Sequence, residues 1–392
     1  MWLGFNYQSN FLFFFALQGL IFSLLLWRQG RKEEQVAPKW LAGFLVLSSL
    51  YLAPWMLGHL GWYGKDGLRE FLFFMPFHQL FLMGPVIYFY QKSLLNPSFQ
   101  FARRDWLHYV PAILYFGYSV TVYVVDEWVL TEYWFYADGR DKDLVPWYQI
   151  SGLASMLGYA ILSIREYRTY RGEIVESVSY ADSVLHHWVQ QFLIAFILIL
   201  GVRLFFLILL PEWGDFGKKW WHYLCFGLVT YYIGLNGYRN TLRMAWLPAP
   251  LAPVSPPQAP PLEPPAPAPT GNGVSSAELE EGKSNLRQFI ESEKGYAHPG
   301  LTLQDVAQRL QLTPKQVSAL INQVFQMNFN DFVNQFRVAA IKERLEKGEH
   351  YQFTLLAIAL DCGFNSKATF NRVFKKWTGK TPGQYVSQLR PK

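Results

Sequence analysis

The sequence predicts an all-α chain in three parts: a seven-helix transmembrane bundle, a Pro-rich linker, and a C-terminal domain of two helix-turn-helix units. Three observations carry this. Long apolar runs crowd before residue 247, eleven of the 22 residues 248–269 are proline, and helix-period segments with excess basic charge follow residue 300. The 392 residues are 51% hydrophobic, 18% aromatic and only 16% charged. A soluble domain carries about 25% charged residues, so one soluble globule is excluded. The net charge of +6 suits a polyanionic partner, either phosphates or an anionic membrane face. Cys225 and Cys362 are the two cysteines. They make neither a disulfide framework nor a zinc site.

Seven stretches are apolar enough to span a bilayer, which takes about 20 residues. They are 11–27, 40–62, 71–91, 106–125, 147–164, 186–210 and 220–238, together the domain 1–246. Apart from Arg203 they contain no Asp, Glu, Lys or Arg. Pro76 and Pro85 must kink the third or break its ladder. One set of loops holds twelve basic residues: Arg28, Arg31, Lys32, Lys39, Lys92, Arg103, Arg104, Arg165, Arg168, Arg171, Arg239 and Arg243. The opposite set holds six: Lys65, Arg69, Arg140, Lys142, Lys218 and Lys219. The richer side is the cytoplasmic one, which puts the N-terminus outside and the tail in the cytoplasm. The lipid bilayer is then a partner in its own right.

The linker, 247–276, interleaves proline with alanine. Neither helix nor central strand tolerates that, and residues 248–269 read as an extended polyproline strut of about 70 Å. Such a strut fixes reach better than orientation, so a small movement of the seventh span fades along it. Three routes for a signal are left: a changed oligomeric state (a homodimer), docking of the tail on the cytoplasmic loops, or proteolytic release. The first is the favoured expectation.

Residues 277–392 read as a soluble helical domain; residues 300–392 carry 13 Lys/Arg against 6 Asp/Glu. In "LTLQDVAQRLQLTPKQVSALINQVF", Thr302 caps one helix with Asp305 three residues on. Thr313 caps the next, which opens with Pro314 at its first position. Val306, Ala307, Leu310, Val317, Leu320 and Ile321 point inward, while Lys315, Gln316, Ser318, Ala319 and Asn322 point outward. The pattern recurs in "FTLLAIALDCGFNSKATFNRVFKKWTG", with a helix from Thr354, a turn at Cys362–Phe364 and a helix opening at Asn365 or Ser366. Phe370, Val373, Phe374 and Trp377 point inward; Lys367, Thr369, Asn371, Arg372, Lys375 and Lys376 point outward. A connecting helix over 331–347 buries Phe332, Phe336, Ile341 and Leu345. At about 25 Å it can hold two recognition helices roughly one turn of double-stranded DNA apart.

One helix-turn-helix pattern is weak; two, about 50 residues apart and suitably joined, are specific. Residues 301–389 resemble the DNA-binding domain of AraC-type transcription regulators, and "GFNSKATFNRVFKKWTGKTPGQY" is similar to that family's signature nearly position for position. In the first unit Ala319 stands where many members carry arginine. The stretches "MGPVIYFYQKSLLNP" and "WLHYVPAILY" resemble bacterial members with a seven-helix N-terminal domain. The resemblance implies a one-component regulator in the bacterial inner membrane. It would bind DNA through Lys315, Gln316, Ser318, Asn322, Ser366, Lys367, Thr369, Asn371, Arg372, Lys375 and Lys376, and respond to a small-molecule or envelope signal.

Arg203 lies about seven residues inside the sixth span, a costly place for a charge. It marks either an anionic site or a side chain snorkelling to the interface. His78, Gln79 and His222 are the other candidate sensing residues; each alone is more often a packing residue. No metal-ligand spacing, phosphate loop, nucleophile elbow or kinase signature is present, so neither a cofactor nor an enzymatic reaction is expected. Two rival readings are a transporter with a regulatory tail and a passive membrane anchor.

Overall fold

The computed structural model describes residues 7–389 apart from 66, 97–98, 138, 140, 182–186, 210–218 and 247–275. The linker expectation therefore falls outside the described residues. Among the described residues every regular element is helical; one isolated antiparallel bridge, Val178–Thr302, is the exception. The chain forms two compact units, Met1–Tyr167 with His187–Pro253, and Arg168–His186 with Val254–Lys392. The second unit thus claims a segment that the sequence reading left as a loop of the first.

The first unit is built from α1 (Tyr7–Lys32), α2 (Ala37–His59), α3 (Leu68–Phe74), α4 (Leu80–Leu95), α5 (Val110–Val124), the first part of α6 (Pro146–Ser177), α7 (His187–Leu209) and α8 (Trp220–Trp246). Its helices bury an apolar core that includes Leu12, Phe15 and Leu26 of α1, yet turn large apolar side chains outward as well. On α1, Ser9, Ala16, Gln18, Gly19 and Ser23 are buried, whereas Phe11, Phe13, Phe14, Leu17, Leu20, Ile21, Leu24 and Trp27 are exposed. Small and hydroxyl side chains let backbones meet closely. The Ser49 hydroxyl donates to the Ala16 carbonyl at 3.0 Å and the Ser23 hydroxyl to the Ala42 carbonyl at 2.9 Å. A Cβ at Gly19 would stand 2.5 Å from Ser49 Oγ, one at Gly227 2.7 Å from Phe15, and one at Gly237 2.4 Å from Leu41. Small residues at such contacts are how helices pack closely within a membrane.

Among the described residues four segments, Tyr7–Lys32, Ala37–His59, Arg103–Val129 and Trp188–Leu209, are helical, long and apolar enough to cross a membrane. The third expected span departs most from a single helix. It is split into α3 and α4 by an extended stretch at Met75–Gln79, and the Gln79 side-chain amide donates to the Pro76 carbonyl at 2.7 Å. Pro76 breaks the ladder, whereas Pro85 is accommodated inside α4. The fifth and seventh expected spans lie within α6 and α8.

The second unit adds α9 (Ser276–Arg287), α10 (Leu303–Leu310), α11 (Pro314–Phe325), α12 (Phe329–Glu346), α13 (Leu355–Asp361), α14 (Lys367–Thr378) and α15 (Pro382–Leu389). It has two cores. Leu286, Ile290, Val306, Val317, Ile321, Phe329, Phe332 and Val333 fill one; Val338, Ile341, Leu345, Ile358, Phe364, Phe370, Val373 and Phe374 fill the other. α12 serves both, its first half in one core and its second half in the other. Its 18 residues make it about 27 Å long.

Candidate nucleic-acid interface

Local chemistry sets each recognition helix. The Thr302 and Thr313 caps are reciprocal: Thr302 N–H donates to Asp305 Oδ2 at 2.8 Å and Asp305 N–H returns to Thr302 Oγ1 at 3.2 Å. Thr313 and Gln316 repeat this at 2.9 and 3.3 Å. In the second unit, Ala357 N–H donates to Thr354 Oγ1 at 3.1 Å and Thr369 N–H to Ser366 Oγ at 3.2 Å. The turn between α13 and α14 requires Gly363, at φ 90°, where a Cβ would meet the Tyr296 carbonyl oxygen at 2.5 Å. The recognition helices are therefore α11 and α14, each following a short first helix across a tight turn.

Lys315, Gln316 and Asn322 are exposed on α11, and Lys367, Asn371, Arg372, Lys375 and Lys376 on α14. Ser318 and Ser366 are half-buried. Thr369 departs from the expectation. It is buried at the third position of α14, with its hydroxyl accepting from Ser366 Oγ at 3.0 Å and its N–H capped by the same group. Its place in the capping turn faces it inward, so it supports the helix and offers nothing to a groove. Lys376 Nζ lies 2.5 Å from Asp331 Oδ1, a pair joining α14 to α12. Phe336 and Trp377, expected inside, are only partly buried.

Sequence reasoning missed the polar centre of this unit. Arg337 is fully buried on α12, and its guanidinium makes five hydrogen bonds. Nε donates to the Tyr296 carbonyl at 2.8 Å, Nη2 to the His298 carbonyl at 2.9 Å and to Ser179 Oγ at 3.0 Å. Nη1 donates to the Ser179 carbonyl at 3.0 Å and to Asn334 Oδ1 at 3.3 Å. These neutral oxygens replace water around a buried cation. Burial still pulls its pKa down to about 10. An i, i+4, i+7 spacing of Asn330, Asn334 and Arg337 on the inner face of α12 was the available signal.

In the first unit, the structure brings together three of the four candidate sensing residues. His78, Arg203 and His222 are all buried, as are Tyr51 and Gln149. Arg203 Nη2 donates to Gln149 Oε1 at 2.7 Å and to its carbonyl at 3.2 Å, so it does not snorkel. His78 N–H donates to Asp143 Oδ2 at 2.8 Å, His78 Nε2 lies 3.2 Å from the Tyr51 carbonyl, and Tyr51 Oη lies 2.9 Å from His222 Nε2. Gln79 stands apart, half-buried and used at the break before α4. The space beside the cluster, lined by Tyr115, Tyr136, Lys142 and Asp143 among others, amounts to about 10 Å³, room for one water. Among the described residues no group of three His, Cys, Asp or Glu could hold a metal ion.

Two helix-turn-helix units sharing one long helix, each presenting a polar recognition helix, define a DNA-binding module. Residues 306–388 match the helix-turn-helix domain family, here of the AraC type. The chain is 36% identical over 95 residues to an uncharacterized HTH-type transcriptional regulator, YpdC, of Escherichia coli K12, covering 24% of this chain and 32% of that one. It is 29% identical over 92 residues to the melibiose operon regulatory protein of the same strain, covering 23% and 30%. With the regulatory protein PocR of Salmonella typhimurium it shares 27% identity over 106 residues, covering 27% and 34%. The chain thus spans about a third of the length of the curated relatives it matches. No solved structure matches it.

Proposed function

We propose that the chain is a membrane-bound transcription regulator that binds double-stranded DNA through α11 and α14. The observation that carries the DNA-binding half is the pair of capped recognition helices with Lys315, Gln316 and Asn322 on one and Lys367, Asn371 and Arg372 on the other, all exposed. Lysine and arginine supply salt-dependent affinity for phosphates, and the exposed faces supply base readout. The membrane half is supported by the large apolar side chains that the first unit turns outward. Exposed Phe, Leu, Ile and Trp run the length of α1 and α7, far beyond the patches a soluble monomer tolerates. The basic loops favour a cytoplasmic tail in the bacterial inner membrane. The buried cluster around Arg203 is the candidate that couples a signal to transcription, as against a passive anchor.

The test is the whole chain in lipid nanodiscs, titrated with a labelled duplex. Under this reading the protein stays in alkali-stripped membranes, and log K falls linearly with log salt concentration. Release into the soluble fraction would refute the membrane assignment, and salt-independent affinity the DNA assignment. A raised melting temperature of the first unit with an envelope-derived anion would favour sensing over anchoring.

A further inference from the structure

The end of α6 and the residues that follow it, 168–181, belong to the second unit. They are engaged there as the last turns of α6 and a docked turn rather than as a loose loop. Val178, Ser179 and Ala181 are fully buried, although this stretch is otherwise polar. Val178 bridges Thr302, and Ser179 N–H donates to the Leu301 carbonyl at 3.1 Å. Asn330 Nδ2 donates to the Val178 carbonyl at 3.3 Å, and Arg337 holds both the carbonyl and the hydroxyl of Ser179. The segment also reaches the first recognition helix. Ser318 Oγ of α11 donates to the Glu176 carboxylate at 3.1 Å. Burial first, and then the charge of Arg171, hold the Arg372 pKa below its usual value.

We propose that residues 168–181 are an intramolecular latch that covers the Ser318 edge of α11, in the first helix-turn-helix unit, and must undock before the chain binds DNA. The inference rests on the DNA-binding reading given above. Glu176 sits on the face of α11 that carries Lys315, Gln316 and Asn322, so a phosphate backbone arriving there meets a carboxylate and a blocked Ser318 hydroxyl. The latch and DNA are alternatives at one surface. Arg337 is the clasp: it loses two of its five acceptors when Ser179 leaves. The charge-based topology puts this segment on the same side of the membrane as the tail, as docking demands. A protein whose competent state is populated about one part in ten binds about tenfold more weakly than its open form.

The experiment uses the whole chain in nanodiscs with a labelled mixed-sequence duplex of about 30 base pairs, three helical turns, at low salt. Val178→Asp places a charge where a buried methyl-bearing side chain docks, on the latch and not on the DNA-binding cores. It should bind about tenfold tighter with the melting of the second unit unchanged. Residues paired across an antiparallel bridge have Cα atoms within about 5.5 Å, so Val178→Cys with Thr302→Cys should cross-link. The oxidised form should bind at least tenfold more weakly than the reduced form, and excess duplex added beforehand should suppress the cross-link. Failure of the cross-link to form, or equal affinity of locked and reduced protein, overturns the latch. So does weaker binding of Val178→Asp with lowered melting, which would make the segment a structural part of the domain. Efficient cross-linking with no duplex bound by any form, reduced or Val178→Asp, overturns instead the DNA-binding reading on which the latch rests.

Discussion

Gly363→Ala isolates the physical demand of the turn that positions α14. The residue sits at φ 90°, where an L side chain costs about 1–2 kcal/mol. Steric conflict adds to this. The new Cβ would lie 2.5 Å from the Tyr296 carbonyl oxygen and 2.9 Å from Arg337 Nε, the two atoms joined by a 2.8 Å hydrogen bond. Moving either weakens a bond from a charged donor, worth about 1.5–3 kcal/mol. The expected loss is about 3–5 kcal/mol, a large share of the stability of a domain this size. Gly379→Ala is the control. Its φ is 73° with nothing within 4 Å of the new Cβ, so it should lose only the backbone term, about 1–2 kcal/mol. Amide hydrogen exchange, read by peptide on the whole chain, separates this unit from the rest. Peptides of α12 to α14 should exchange about a hundredfold or more faster in Gly363→Ala and roughly tenfold faster in Gly379→Ala, at about 1.4 kcal/mol per decade. Equal acceleration by the two would refute the argument from close approach.

Three further outcomes follow from the same geometry. Arg372→Ala should cost about 1–3 kcal/mol of binding and relax preference at one position in a site-selection assay; a uniform loss over all sequences would make Arg372 a phosphate contact. Lys376→Ala should change stability by less than about 1 kcal/mol, because its partner Asp331 holds it at an exposed site, and should lower the salt slope of DNA binding by about one unit at most; a larger change would contradict the pairing. Gly19→Leu forces α1 off Ser49 and should lower the melting of the first unit in detergent, by about 1–3 kcal/mol or more; unchanged melting would refute the close α1–α2 contact.

The sequence disclosed what local chemistry decides. Thr302, Thr313 and Thr354 announce helix starts because a hydroxyl before an apolar run has one good use, and Gly363 announces a turn. The inner faces of α10, α11 and α14 follow from period alone, since Val306, Val317 and Phe370 have no other way to leave water. Thr369 was misread because a residue in the capping turn faces the first-turn backbone whatever the wheel suggests. Arg337 was missed because periodicity treats every arginine as surface, whereas its acceptors come from Tyr296, His298 and Ser179, up to 158 residues away in sequence. Arg203 stood out as the one charge in its span, but its partner Gln149, 54 residues back, could not be read from periodicity. Pro76 was legible as a break in the third apolar run, and the structure divides the run there.

The latch changes the expected route of a signal. The Pro-rich linker argued for control through oligomeric state, because a strut transmits orientation poorly. α6 offers another path, for it is one helix, Pro146–Ser177, whose first part belongs to the first unit and whose last ten residues belong to the second. A movement of the fifth expected span is then carried to residues 168–177 by hydrogen-bonded backbone, with no proline between. Two insertions separate the routes. Ten Pro/Ala residues added to the linker give about 30 Å more reach and should leave the DNA affinity of the reconstituted chain unchanged. One alanine added between Glu166 and Tyr167 turns all that follows on α6 by about 100° and advances it about 1.5 Å. Val178 and Ser179 then fall out of register with Thr302 and Arg337, and the chain should bind DNA about as tightly as the Val178→Asp protein. If the linker insertion alters affinity while the alanine does not, control runs through the linker and the role given to α6 is wrong.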